Sequence, residues 1–178
     1  MSKKNKMLII LGACITALSI FLMVERCFAE IPENEVSLGG ISGQSNRTKV
    51  MQIYGKPTWS SDSWYSWRYG NSVFISFDEG MVGSITVTAN NGWATPAGLT
   101  VGMNINTALR LYGDPDKSVT KGSKTLYVYF VNLINRGAGH LGVVFDTSSR
   151  KITKLNVKKS HMADFKEYYP GWEKSMLK

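Results

Sequence analysis

The side chains best able to do chemistry in this 178-residue chain lie between positions 59 and 77. Trp59, Trp64, Tyr65, Trp67, Tyr69, Phe74 and Phe77 stand there with Arg68 and several serines among them. Trp, Tyr and Arg carry much of the energy of protein interfaces, so such a cluster suits the docking of a protein partner, and stacking on carbohydrate would use the same surface. The order of residues divides the cluster between two faces of a strand. Tyr65, Trp67 and Tyr69 alternate with Trp64, Ser66 and Arg68, and Val73, Ile75 and Phe77 alternate with Phe74, Ser76 and Asp78. One face must cover a core, which claims Tyr65, Trp67, Tyr69 and Phe77. Trp59, Trp64, Arg68 and Phe74 are then the candidate partner-binding residues.

Hydrolytic and metal chemistry find little to work with. His140 and His161 are the only histidines and have no neighbouring Cys or paired His spacing, so no metal ligands are assigned. There is no Gly-x-Ser-x-Gly pattern to seat a serine nucleophile. Asp78 and Asp146 read as turn-forming aspartates at equivalent places, not as an acid–base pair. Gly137-Ala138-Gly139 does not open a strand-to-helix phosphate loop and reads as a flexible tip between strands. The sequence therefore assigns no catalytic, cofactor-binding or metal residues and predicts a protein that is not an enzyme.

The elements that hold the aromatic cluster are written twice. Residues 41–57 and 99–115 share an Asn, a Tyr-Gly-x-Pro ending and the apolar positions between them. The match continues from Phe77-Asp78 to Phe145-Asp146, and from Val82, Ile85 and Val87 to Ile152, Leu155 and Val157. Extra length in the second copy falls at 131–140 and 146–151, both expected to be turns. In each copy an Asn stands at the N-cap (Asn46, Asn104) of a short helix with one apolar face, which Gly and Pro then terminate. Ile105, Ala108, Leu109 and Tyr112 give the second helix a full apolar stripe, whereas Arg47 interrupts that of the first. Strands are expected at 64–69, 73–78 and 81–89, and again at 125–132, 140–146 and 151–158. Residues 89–96 read as a linker.

The predicted fold is α+β: two tandem repeats, each a short helical segment packed on a three- to four-stranded antiparallel sheet, over residues 36–89 and 96–159. A tail over 160–178 follows, in which Met162, Phe165 and Tyr169 could line one or two helical turns before Pro170-Gly171. This tail is expected to pack back on the sheet, with partner docking as the alternative.

Residues 1–29 are of another kind. Lys3, Lys4 and Lys6 precede an uncharged, mainly apolar run from Met7 to Val24, and Cys27-Phe28-Ala29 supplies a small-x-small end. This reads as a signal peptide cut after Ala29, with an uncleaved membrane anchor as the alternative. Cleavage would remove both cysteines, so no disulfide or thiol chemistry would remain. It would also leave 17 basic residues against 12 acidic ones, a net charge of +5 compared with +8 for the whole chain. The mild charge, the lack of a basic stripe and export together argue against nucleic acid. The expected place is the periplasm or outer envelope, with membrane contact only through an uncleaved N-terminus.

A helix of form Asn-x-x-x-[Val/Ala]-[Met/Leu]-x-[Ile/Leu]-Tyr-Gly-x-Pro, followed by an aromatic strand, a strand ending in Phe-Asp and an Ile-x-Val strand, resembles two related groups. One is the small lipoprotein of the outer-membrane β-barrel assembly machinery, and the other is the secreted β-lactamase inhibitor protein with its two tandem copies. The resemblance spans residues 36–158. It implies an exported protein-binding module of the bacterial cell envelope, acting in outer-membrane protein assembly or envelope integrity, or alternatively an inhibitor of a secreted or periplasmic enzyme. The implied partner is accordingly an outer-membrane assembly component or a soluble envelope enzyme. The chain lacks a usable lipobox and, once cut, the cysteines expected of the inhibitor.

Overall fold

The computed structural model describes residues 31–61, 63, 65–133, 137–160 and 172–178. The signal-like segment, Trp64, His161 and the tail positions Met162, Phe165 and Tyr169 lie outside the described residues. A short 3-10 turn at Glu33–Glu35 leads into a two-stranded ribbon, β1 (Ser37–Leu38) and β2 (Ile41–Ser42). Helix α1 (Arg47–Tyr54) and strands β3 (Trp59–Ser60), β4 (Ser66–Tyr69), β5 (Val73–Asp78) and β6 (Met81–Val87) follow. Helix α2 (Ile105–Tyr112) precedes β7 (Lys117–Lys121), β8 (Lys124–Leu133), β9 (Gly137–Asp146) and β10 (Ile152–Ser160), and α3 (Trp172–Met176) closes the chain.

The eight longer-range strands form one antiparallel sheet in the order β3-β4-β5-β6-β10-β9-β8-β7. This overturns the expectation of two helix-on-sheet repeats. The cause is the pairing of β6 with β10, which sets Val87 opposite Leu155 and Ile85 opposite Val157. Left apart, β6 and β10 would each present an open strand edge with unpaired backbone groups. Pairing them satisfies those groups and buries all four of these side chains. The strands that match in the sequence repeat thus become antiparallel partners across one seam.

Both eight-residue helices are too short to persist alone and depend on packing. Val50 of α1 and Ile105, Ala108 and Tyr112 of α2 are buried in a core lined by one face of the sheet. The N-cap expectations hold in the geometry: Asn46 Oδ1 accepts from the Lys49 N–H at 2.9 Å, and Asn104 Oδ1 from the Asn106 N–H at 2.9 Å. Gly55 and Gly113 end the helices at φ 73° and 72°, in the region that favours glycine. Arg47 lays its guanidinium 4.9 Å from the centroid of the Phe77 ring.

Two further expectations are corrected. The glycines at 137–139 are not a loop tip between short strands, because β9 begins at Gly137 and the added length extends β8 and β9. Residues 89–96 form no free linker either, since Trp93 and Thr95 are buried and the Gly39 N–H donates to the Ala94 carbonyl at 2.9 Å. At the chain's end Met176 and Leu177 pack on Leu126, Val128 and Val144, on the sheet face opposite the helices. Lys154 Nζ donates to the Met176 carbonyl at 2.8 Å and fixes that end in place.

Candidate functional site

The chain's end covers the β8–β9 part of the second sheet face. Towards β3 to β6, strand alternation places Arg68, Phe74, Ser76, Ser84 and Thr86 on that same face, because Trp67, Ile75 and Ile85 point into the core. Cross-strand register then builds two neighbouring rows. The first runs Trp59, Arg68, Phe74, Thr86 and Asn156, and the second runs Ser66, Ser76, Ser84 and Lys158. Together they enclose a groove of about 250 Å³ whose side chains are Trp59, Ser66, Arg68, Phe74, Ser76, Ser84 and Thr86.

Three of the four residues singled out by the sequence therefore meet in space. The Arg68 guanidinium lies 4.7 Å from the Trp59 ring centroid and 5.4 Å from that of Phe74. Stacking of this kind holds a cation by the ring quadrupoles without neutralising it. Among the described residues no carboxylate pairs with Arg68. Trp59 is 47% exposed, far more than a core aromatic. The fourth residue, Trp64, is outside the described residues. Of the aromatics assigned to the core, Trp67 is 1% exposed and Phe77 is buried, and Tyr69 is half-buried with its hydroxyl donating to the Gly55 carbonyl at 2.9 Å. Tyr65 departs from the expectation at 57% exposed: β4 begins only at Ser66, so Tyr65 stands in the preceding turn and escapes the alternation.

The floor of the groove is rich in hydrogen-bond donors. Ser76 Oγ and Ser84 Oγ share one hydrogen bond at 2.7 Å, so the pair keeps one proton to give. Thr86 Oγ1 accepts from Asn156 Nδ2 at 2.9 Å and retains its own O–H as a donor. The carboxylate nearest along β5 is Asp78, two residues beyond Ser76 and about 13 Å along the strand from Phe74.

Two other polar groups are enclosed: Glu35, which sequence reading passed over, and His140, which it weighed only as a metal ligand. Glu35, 6% exposed, ends a directed chain of hydrogen bonds. The Leu99 N–H donates to Thr95 Oγ1 at 3.1 Å, Thr95 bonds the Tyr112 hydroxyl at 2.6 Å, and Tyr112 donates to Glu35 Oε2 at 2.7 Å. Burial, followed by the Glu35 hydrogen bond, raises the Tyr112 pKa well above the usual phenol range. The chain of bonds ties the N-terminal turn to the segment between β6 and α2. His140, fully buried, pairs through Nε2 with Asn156 Oδ1 at 3.1 Å. Asn156 Nδ2 gives its protons to the Ile85 carbonyl and Thr86, which leaves Oδ1 as acceptor and makes His140 Nε2 the donor. Burial lowers the His140 pKa to about 3, against the opposing pull of the Asn156 hydrogen bond, and the nearby Lys158 charge lowers it further.

Among the described residues, no three His, Cys, Asp or Glu side chains gather as a metal site. No helix among them is long and apolar enough to cross a membrane. No family model and no curated protein matches the chain. A solved structure described as an extracellular protein containing a SCP domain, from Bacillus anthracis str. Ames, is similar over 66% of this chain and 44% of that one, at 13% identity and a TM-score of 0.48. The chain spans less than half of that protein's length, and a likeness at this level carries no weight for function.

Proposed function

We propose that the chain is an exported protein-binding module of the bacterial cell envelope, and that it docks a protein partner on the sheet face between β3 and β6. The observation that carries this reading is the groove in which Trp59, Arg68 and Phe74 converge on a part of the sheet away from the patch that Met176 and Leu177 cover. Its volume of about 250 Å³ is below the ~300–1,000 Å³ of sites that enclose a whole small ligand, and it suits one or two anchoring side chains. Exposed Trp and Arg in such a setting are the residue types that dominate binding energy at protein interfaces. Export rests on the signal-like residues 1–29, and an assembly role at the outer membrane is the finer form of the reading.

The test is cross-linked affinity purification of the tagged, full-length protein from its own cells, alongside the Trp59→Ala/Arg68→Ala double variant. A partner held by the wild type and lost from the folded variant is the expected result. A partner held equally by both would reject this face as the docking surface. Recovery of barrel-assembly proteins would favour the assembly role, and recovery of one soluble enzyme would favour inhibition.

A further inference from the structure

We infer that the groove reads a carboxylate: its partner is an acidic protein segment that sets an Asp or Glu side chain against the Arg68 guanidinium. This rests on the protein-docking reading and adds the chemistry of the partner. Arg68 is a charge stacked between two rings, with no carboxylate paired to it among the described residues. A guanidinium so held keeps its planar fork of N–H donors oriented, and less side-chain entropy remains to be lost on binding. The groove behind it offers further donors, one from the Ser76–Ser84 pair and one from Thr86. An ionised carboxylate is acceptor-only and matches a site made of donors.

Charge on the surrounding face agrees. Lys158 continues the serine row on β10 beyond Ser84, and Asp78, the acidic residue of β5, lies at the turn end next to Ser76, about 13 Å along the strand from Phe74 and the Arg68 stack. An acidic glycan would offer the same carboxylate, but the stacking geometry favours protein. Arg68 occupies one face of each of the Trp59 and Phe74 rings, which a sugar would otherwise stack on within the groove. The guanidinium is therefore the recognition element, and the aromatics serve to hold it.

A random heptapeptide display library, selected on the immobilised protein, tests the inference. Wild type should enrich Asp and Glu, and peptides so selected should bind Arg68→Gln about tenfold more weakly or worse. Arg68→Glu should turn the enrichment towards Lys and Arg, a reversal that loss of folding cannot produce. Circular dichroism of each variant confirms that it is folded. Peptides without acidic enrichment that bind Arg68→Gln equally but fail on Trp59→Ala would overturn the carboxylate inference and leave the docking face standing. Selected peptides indifferent to both substitutions would overturn both readings. Binding of polygalacturonate with no acidic peptide enriched would replace the protein segment by a glycan.

Discussion

Lowering the pH below the ordinary histidine range should destabilise the fold through His140. His140 is fully buried and its folded pKa is lowered to about 3, below the ordinary 6.5. The folded state therefore keeps the imidazole neutral while the unfolded chain takes up a proton below pH 6.5. The stabilising contribution is complete above 6.5, falls as the pH drops below it, and levels off only near the folded value. Stability should decline by up to about 1.4 kcal/mol per pH unit within that window. Between pH 7.5 and pH 5 the loss attributable to His140 is about 2 kcal/mol. Burial is the main cause and Lys158 adds to it by opposing a second positive charge, whereas the Asn156 hydrogen bond to Nε2 pulls the other way without overcoming burial. The assay is urea unfolding of residues 30–178 at half-unit pH steps, wild type against His140→Gln. Glutamine can still donate to Asn156 Oδ1 and does not titrate over this range, so its stability should be nearly flat from pH 7.5 to 5. Equal slopes in the two proteins would refute the reasoning, as would an NMR titration of the folded His140 ring near 6.5.

Other substitutions test the packing. Gly39 has φ +59°, and a Cβ there would meet the Tyr54 hydroxyl at 2.5 Å and the Trp93 ring at 2.8 Å, so Gly39→Ala should cost about 2–4 kcal/mol by thermal unfolding. Tyr112→Phe removes the donor to buried Glu35 and the acceptor for Thr95, and should lose about 1–3 kcal/mol in chemical denaturation. Leu155→Ala opens a cavity at the β6–β10 seam and should cost about 2–5 kcal/mol, with the amides of both strands losing hydrogen-exchange protection together. Trp59→Ala, on the exposed rim, should change stability by less than about 1 kcal/mol while weakening partner binding.

Local features were legible from the residues, and long-range ones were not. Asn46 and Asn104 marked the helix starts because capping is decided within three residues. Arg68 and Phe74 could be assigned to the face away from the core because period-two alternation about Trp67 and Ile75 fixes it. Tyr65 was misassigned because the alternation was extended one residue past the start of β4. The joining of β6 to β10 leaves no local mark: a strand edge looks the same in sequence whether it ends a sheet or meets another strand. Burial of Trp93 and Glu35 depends on partners as distant as Tyr54 and Tyr112, which no neighbouring pattern announces. Trp59 was picked out for its type and position, and its stacking with Arg68 needed the β3–β4 register to be seen.

The most direct test of the docking face is site-specific photo-cross-linking in the native cells. A photoreactive amino acid is placed at Ser66, in the groove, or at Ile53, exposed on α1. The groove position should give one discrete protein adduct, abolished by Arg68→Glu in the same chain, and the helix position should give none. A discrete adduct from Ile53 with nothing from Ser66 would place the interface on the helices and contradict the account.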